Sequence, residues 1–458
     1  MAIGLPNLDR QDPSVLRMAG PLVVSFVMRA AFTMVDTVFA ATIGDTAVAA
    51  IGLTIPFEFV LIAIWVGLST GLTSNLSRAV GKGENRRIEQ YLKSALRLVQ
   101  IISPVFALSG VVIWFGAPRM GLDPEVARQF QIYGTTMLCG ASLTSFWSIL
   151  PDSMVKAHQD TRTTMWAGII SNVLNLVMNA LFLFVFGWGI FGIALSTVLG
   201  RLGGLAYATA KANAHEARRK AGQAEVDCTP DPRPFRTLFT LAIPSAVTFA
   251  LMASEAGLVN LLLSKMENAT EALVAYSIFY RVALFALNPI IAIGVALLPF
   301  TARRFGRGDV AGIKKGLGEA GLAMIGYSVL FVAPLMAVIA PAVADALTES
   351  DISAGFTRTM LYFVPVSCLL GAPFLLCRPV FEGMQRGRPG LITALVRYLG
   401  LTFPLAWLGT RMATLYDIHP IYGLVVGLLV ASLLSSVMFS AWLHRALKGL
   451  EVSRAKGT

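Results

Sequence analysis

A carboxylate, a row of amides and a hydroxyl stand out in a sequence otherwise dominated by aliphatic side chains: Asp36, Asn172, Asn175, Asn179 and Thr197. The asparagines are spaced i, i+3, i+7, which puts their amides on one face of a helix. Counted from the nearest end of the apolar segment that carries each, Asp36 lies roughly 10 Å deep, Asn179 about 12 Å and Thr197 about 14 Å, with Asn175 one turn deeper. A carboxylate at such a depth without a basic partner is destabilising unless it titrates or binds a cation. The amides have a second use, as interhelical hydrogen bonds of about 1 kcal/mol each. The asparagines alone fit either role.

Few other ionisable groups interrupt the apolar segments, and each needs a partner, a cavity or a task. Glu255 lies roughly 14 Å inside Ser264, which suits a second cation or substrate site, or a structural acid bonded to a neighbouring serine. Glu58 and Arg281 sit at matching depths of about 16 and 15 Å, so they could pair across a symmetry axis or each find a partner locally. Arg29 lies near Asp36 in the sequence, whereas Arg201, Arg378, Glu382 and Arg397 fall towards basic loops, where snorkelling or loop pairing accounts for them. No H-E-x-x-H and no G-x-x-x-x-G-K-[ST] occurs, so neither zinc hydrolysis nor nucleotide-driven work by this chain is expected. Cys139, Cys228, Cys368 and Cys377 have no spacing that suggests a metal site or a disulfide framework.

The elements that hold these residues follow from composition. The chain has 458 residues, 55% hydrophobic and only 14% charged, with a net charge of +11. Soluble domains carry about 25% charged residues, so a polytopic membrane protein is expected. Apolar windows predict spans at 15–43, 47–76, 94–116, 127–150, 164–186, 188–210, 238–264, 271–299, 318–345, 355–381, 389–411 and 420–444. Arg and Lys crowd the loops on one side, which predicts that both termini are cytoplasmic. The positive charge is then a topology signal and a contact for anionic lipid headgroups, with no nucleic acid expected.

The two halves repeat at an offset of roughly 223 to 226 residues: Gly81-Lys82-Gly83-Glu84 answers Gly306-Arg307-Gly308-Asp309, Gln159 and Arg162 answer Gln385 and Arg388, and Pro21 answers Pro244. Six spans separate equivalent points, so the copies share one orientation and should be related by an axis along the membrane normal. The expected fold is an all-α membrane protein of twelve transmembrane helices in two pseudo-symmetric six-helix lobes around a central cleft. The expected boundaries are 1–210 for the N-terminal lobe, 211–237 for a cytoplasmic linker and 238–458 for the C-terminal lobe with its tail.

Several stretches resemble the multidrug and toxic compound extrusion (MATE) transporters of the multidrug, oligosaccharidyl-lipid and polysaccharide exporter superfamily. They are Met34-Val35-Asp36-Thr37-Val38-Phe39-Ala40, Arg78-Ala79-Val80-Gly81-Lys82-Gly83, Gln159-Asp160-Thr161-Arg162, Leu174-Asn175 and Gly189-Ile190-Phe191-Gly192-Ile193-Ala194. The resemblance covers nearly the whole chain and is strongest in the first half. It implies a bacterial inner-membrane antiporter, not an enzyme, that exports organic cationic or amphipathic compounds against H⁺ or Na⁺ and needs no cofactor. The partners implied are a small-molecule substrate, the coupling cation and membrane lipids, with the chain monomeric.

Carried over residue by residue, the resemblance places the cation site on Asp36, Asn175, Asn179, Thr197 and Tyr133, a hinge at Pro21, and a second-lobe acid at Glu255. It also implies an aspartate midway along the tenth span, yet 360–377 contains no acid. That departure moves the weight of the expectation to Asp36. Two rivals stand beside this reading. A lipid-linked oligosaccharide flippase should need more basic residues in the cleft than Arg29, Arg281 and Arg397, and a non-transporting scaffold or receptor has no reason to bury Asp36 and Glu255.

Overall fold

A computed structural model describes residues 13–222, 228–348 and 350–455, with the side chains of 29–35, 222 and 453–455 left out of the description. Arg29, Met34 and Val35 therefore lie outside the described side chains. Among the described residues the chain is almost wholly helical and runs as twelve columns. The first six are α1 (Val15–Ala41), α2 (Asp45–Lys82), α3 (Asn85–Gly116), α4 (Pro124–Ala157), α5 (Thr161–Val185) and α6 (Gly189–Gly222). The second six are α7 (Pro234–Leu263), α8 (Ala269–Arg307), α9 (Val310–Leu347), α10 (Asp351–Tyr362 and Val364–Gly383, joined at Phe363), α11 (Arg388–Leu415) and α12 (Pro420–Ala455).

Ten of the columns are long and apolar enough to cross a membrane. The exceptions are α1, whose described apolar run is Val15–Met28, and α4, whose many serines and threonines are packed against α2, α3 and α6. The protein is a multi-pass membrane protein.

Local chemistry sets the ends of the columns. Asp123, Asp160, Asp309 and Ser350 accept backbone N–H groups at helix starts and so satisfy donors that have no partner inside the helix. Gly83 and Gly308, equivalent in the repeat, close α2 and α8 with φ of 73° and 84°, a left-handed conformation in which a Cβ is strained. Gln159 and Gln385, also equivalent, adopt φ of 60° and 64°. The repeat thus recurs as matched backbone geometry at two turns.

Within the first half α4 packs on α2, α3 and α6, while α5 packs on α6 and α1; in the second half α8 packs on α10, and α10 and α11 on α12. The halves meet where α2 lies against α7 and α8, and α1 against α8. The segment read as a linker is partly helical: α6 continues to Gly222, and α7 starts at Pro234. Between them Asp231 is tied to α3, its carbonyl accepting from Gln90 Nε2 at 2.7 Å and its N–H donating to Gln90 Oε1 at 2.9 Å.

Candidate functional site

Asp36 is surrounded by neutral donors from two other columns. Asn179 Nδ2 donates to Asp36 Oδ1 at 2.7 Å, Asn175 Nδ2 reaches the same oxygen at 3.3 Å, and Thr197 Oγ1 lies 3.0 Å from Oδ2. The amides also hold one another: Asn179 Nδ2 is 3.3 Å from Asn175 Oδ1, and Asn175 Nδ2 donates to Thr197 Oγ1 at 2.9 Å. Asn179 is fully buried, Asn175 and Thr197 nearly so. No ion pair involves Asp36 among the described residues.

The close fit of α5 on α6 makes this possible. A Cβ at Gly200 would lie 2.5 Å from the Ser171 carbonyl oxygen, and one at Gly204 would lie 2.6 Å from that of Ala167. Two glycines four residues apart let the backbones approach until Asn175 and Thr197 touch. One member of the network escaped the sequence reading. Ser196 donates to Asn179 Oδ1 at 2.5 Å or to its own helix at Ile193 O, 2.7 Å away. Its signal was the tandem hydroxyl pair with Thr197; which of the two faced the amides depended on how α6 is rotated. Asn172 shares the stripe but takes part in none of these bonds.

The arrangement offers oxygens from one carboxylate, two amides and two hydroxyls, a hard-donor set that suits a proton or an alkali cation better than a soft metal. With the amide N–H groups turned towards Asp36, the ionised carboxylate is satisfied. Protonation on Oδ2 is met when the Thr197 hydroxyl switches from donor to acceptor, whereas a bound cation calls for oxygens in place of N–H groups and so requires the amides to turn.

Tyr133 of α4 is buried, but no hydrogen bond joins it to Asp36 among the described residues. In the second half, Glu255 accepts from Thr402 Oγ1 at 3.3 Å. It lines a cavity of about 140 Å³ with Tyr276, Tyr280, Arg397 and Tyr398. The serine partner foreseen for Glu255 is thus a threonine, and the absent second acid has a guanidinium in its neighbourhood instead. Arg397 and Thr402 both belong to a π-helical stretch, Val396–Thr402, whose extra residue per turn re-aims side chains in a way that a regular period does not predict.

The MatE family model matches residues 21–181 and 244–408, one copy in each half. The chain belongs to the MatE family. Curated relatives include a FAD transporter of Shewanella oneidensis, 22% identical over 432 residues that cover 92% of each chain. A probable multidrug resistance protein NorM of Bradyrhizobium diazoefficiens is 26% identical over 437 residues, 88% of each chain. Among solved structures, an outward-facing multidrug resistance MATE transporter superposes with a TM-score of 0.84 at 20% identity, over 95% of this chain and 96% of the other. A mutant of the Vibrio cholerae MATE transporter VcmN gives 0.82 at 23% identity, with the same coverage. These likenesses show the two-lobed transporter fold.

In this MatE chain the lobes touch along the halves of α2 and α8 that end in the glycine turns. A Cβ at Gly71 would lie 2.7 Å from the Leu238 carbonyl, and one at Gly67 2.5 Å from that of Ala242. Ser74 Oγ donates to the Glu382 carbonyl at 2.7 Å and accepts from Gln385 Nε2 at 2.7 Å, a bridge between lobes. The buried Glu382 carboxylate also accepts from Ser245 at 2.6 Å and faces Arg378 Nε at 3.4 Å.

Glu58 and Arg281 lie beyond this contact zone, and the cross-lobe pair between them is not formed. Arg281 is exposed and makes no ion pair among the described residues, and no hydrogen bond or ion pair joins it to Glu58 there. The physical reason is that equal depth along two helices does not decide which of their faces meet, and Arg281 sits on an exposed face of α8. Pro21 lies inside α1, which runs unbroken from Val15 to Ala41 in this conformation.

Proposed function

We propose that the chain is an H⁺- or Na⁺-coupled antiporter that exports organic cationic or amphipathic compounds by alternating access, with Asp36 as the coupling site. The observation that carries this reading is the Asp36 carboxylate held by Asn179, Asn175 and Thr197 with no ion pair among the described residues. Family membership and relatives named for multidrug resistance support the cargo class. The charge bias supports a cytoplasmic side for both termini and the basic loops, in a bacterial inner membrane under this proposal. The lobes, residues 1–210 and 238–458, would rock about their shared contact, with Pro21 as a hinge and Tyr133 as a further member of the cation site.

In the proposed cycle, the outward-open site loads a cation from outside, the hydrogen bonds around Asp36 rearrange, and cargo is disfavoured and leaves. An inward voltage contributes about 2.3 kcal/mol per charge per 100 mV. A second reading, a phosphorylated organic anion as cargo, draws on the FAD transporter relative and on Arg397 in the second-lobe cavity.

The test is Asp36→Asn in proteoliposomes, which keeps the volume and removes the titration. Substrate-driven proton and Na⁺ flux should fall to background while the protein still folds and inserts. A variant with undiminished coupled efflux would overturn the assignment. Comparing a fluorescent organic cation with flavin adenine dinucleotide as cargo separates the two substrate classes.

A further inference from the structure

At the basic end of the first lobe, away from Asp36, a cavity of about 320 Å³ opens between α5 and α6. From α6 it is lined by Tyr207, Lys211, His215 and Arg218, which at spacings of four, four and three residues fall on one helical face. From α5 it is lined by Arg162 and Trp166. Arg162, Lys211 and Arg218 are exposed and make no ion pair among the described residues, although Lys211 sits over the Tyr207 ring at 5.7 Å. The one acid of the cavity, Asp160, is already engaged by Thr163 Oγ1 at 2.6 Å and His215 Nε2 at 2.9 Å. Three exposed cations that make no ion pair among the described residues therefore face one open cavity, whose positive charge favours an anionic ligand.

We propose that this cavity binds the phosphate group of an anionic membrane phospholipid. The shared chemistry is a phosphate oxyanion, which guanidinium groups match with paired, parallel donors. The lipid source is favoured by what adjoins the cavity. Trp166 is 49% exposed, and farther along α5 Val173 and Val177 are exposed at 47% and 54%. An apolar track therefore leaves the cationic mouth in the direction an acyl chain would take, and Trp166 and Tyr207 are of the type enriched at the membrane–water boundary. Basic cavities between helices on the cytoplasmic side are suited to such headgroups.

The purified full chain in detergent is titrated with phosphatidylglycerol, phosphatidylcholine or inorganic phosphate, with retained adducts counted by native mass spectrometry. Phosphatidylglycerol should bind, and phosphatidylcholine should not compete. Arg162→Gln with Arg218→Gln should weaken that binding by about thirtyfold, since each basic residue near a lipid surface contributes about a fivefold factor. The Lys versions at the same positions guard against misfolding and should recover part of the binding. Arg386→Gln with Arg445→Gln, exposed basic residues elsewhere, should change nothing. An equal loss in that control pair would overturn the site, and inorganic phosphate adducts retained as well as those of the lipid would overturn the lipid assignment.

Discussion

Gly81 lies so close to the carbonyl oxygen of Arg303 that a methyl group at position 81 would overlap it, and the relation is reciprocal, because a Cβ at Gly306 would lie 2.6 Å from the carbonyl of Arg78. Each lobe thus presents a glycine to the backbone of the other at the end where α2 and α8 terminate. Overpacking of this kind costs about 1–3 kcal/mol, and it falls on the conformation in which these two ends meet. Gly81→Ala and Gly306→Ala should therefore open this end. Spin labels at Lys82 and Arg307 should report a longer mean distance in either variant, with efflux reduced several-fold. An unchanged distance distribution would show that the contact is incidental.

Asn179 makes the shortest bond to Asp36 and also accepts from Ser196. A hydrogen bond to a charged group contributes about 1.5–3 kcal/mol, so Asn179→Ala should lower coupled efflux by about tenfold or more and reduce thermal stability. Asn172→Ala is the matched comparison, since it removes an amide from the same stripe but none of the bonds. Equal effects from both would reduce the network to general helix packing.

Glu255→Gln should impair coupled flux less than Asp36→Asn does. Glu255 receives one long bond from Thr402 and shares its cavity with Arg397, whose charge offsets its own. Flux assays of the two single variants at matched protein density decide the point, and a larger loss for Glu255→Gln would move the coupling site to the second lobe.

Outside the spans, Asp160 carries a pH-dependent contribution to stability. Burial opposes ionisation of Asp160, but hydrogen bonds from Thr163 and His215 outweigh it and hold the carboxyl below its ordinary value. A group with a depressed pKa contributes stability that is present above its unfolded value, about 3.9, and is lost as pH falls through the folded one. Asp160→Ala should cost about 0.5–2 kcal/mol at pH 7, the usual range for losing a helix cap. The gap in thermal midpoint from the wild type should shrink as pH drops below about 4. A gap that stays constant over that range would rule out the ionised carboxylate as its source.

The sequence by itself determined the membrane class, the helical columns, the repeat and four members of the Asp36 cluster. The reason is that low charge, apolar run length and the 3.6-residue period are local properties, and depth along a straight helix converts them into position. Asp36, Asn175, Asn179 and Thr197 could be matched because each depth is counted from its own helix end. Only the tertiary structure decided the rest. Ser196 joined the cluster because of the rotation of α6, which the packing of Gly200 and Gly204 fixes. Arg397 came near Glu255 through a π-helical stretch that breaks the regular period. Glu58 and Arg281 stayed apart, and Ser74 met Glu382 and Gln385, because the relative placement of the lobes is set by contacts between residues more than 160 positions apart. Local patterning has no means of encoding a distance between two helices that touch only where glycines allow it.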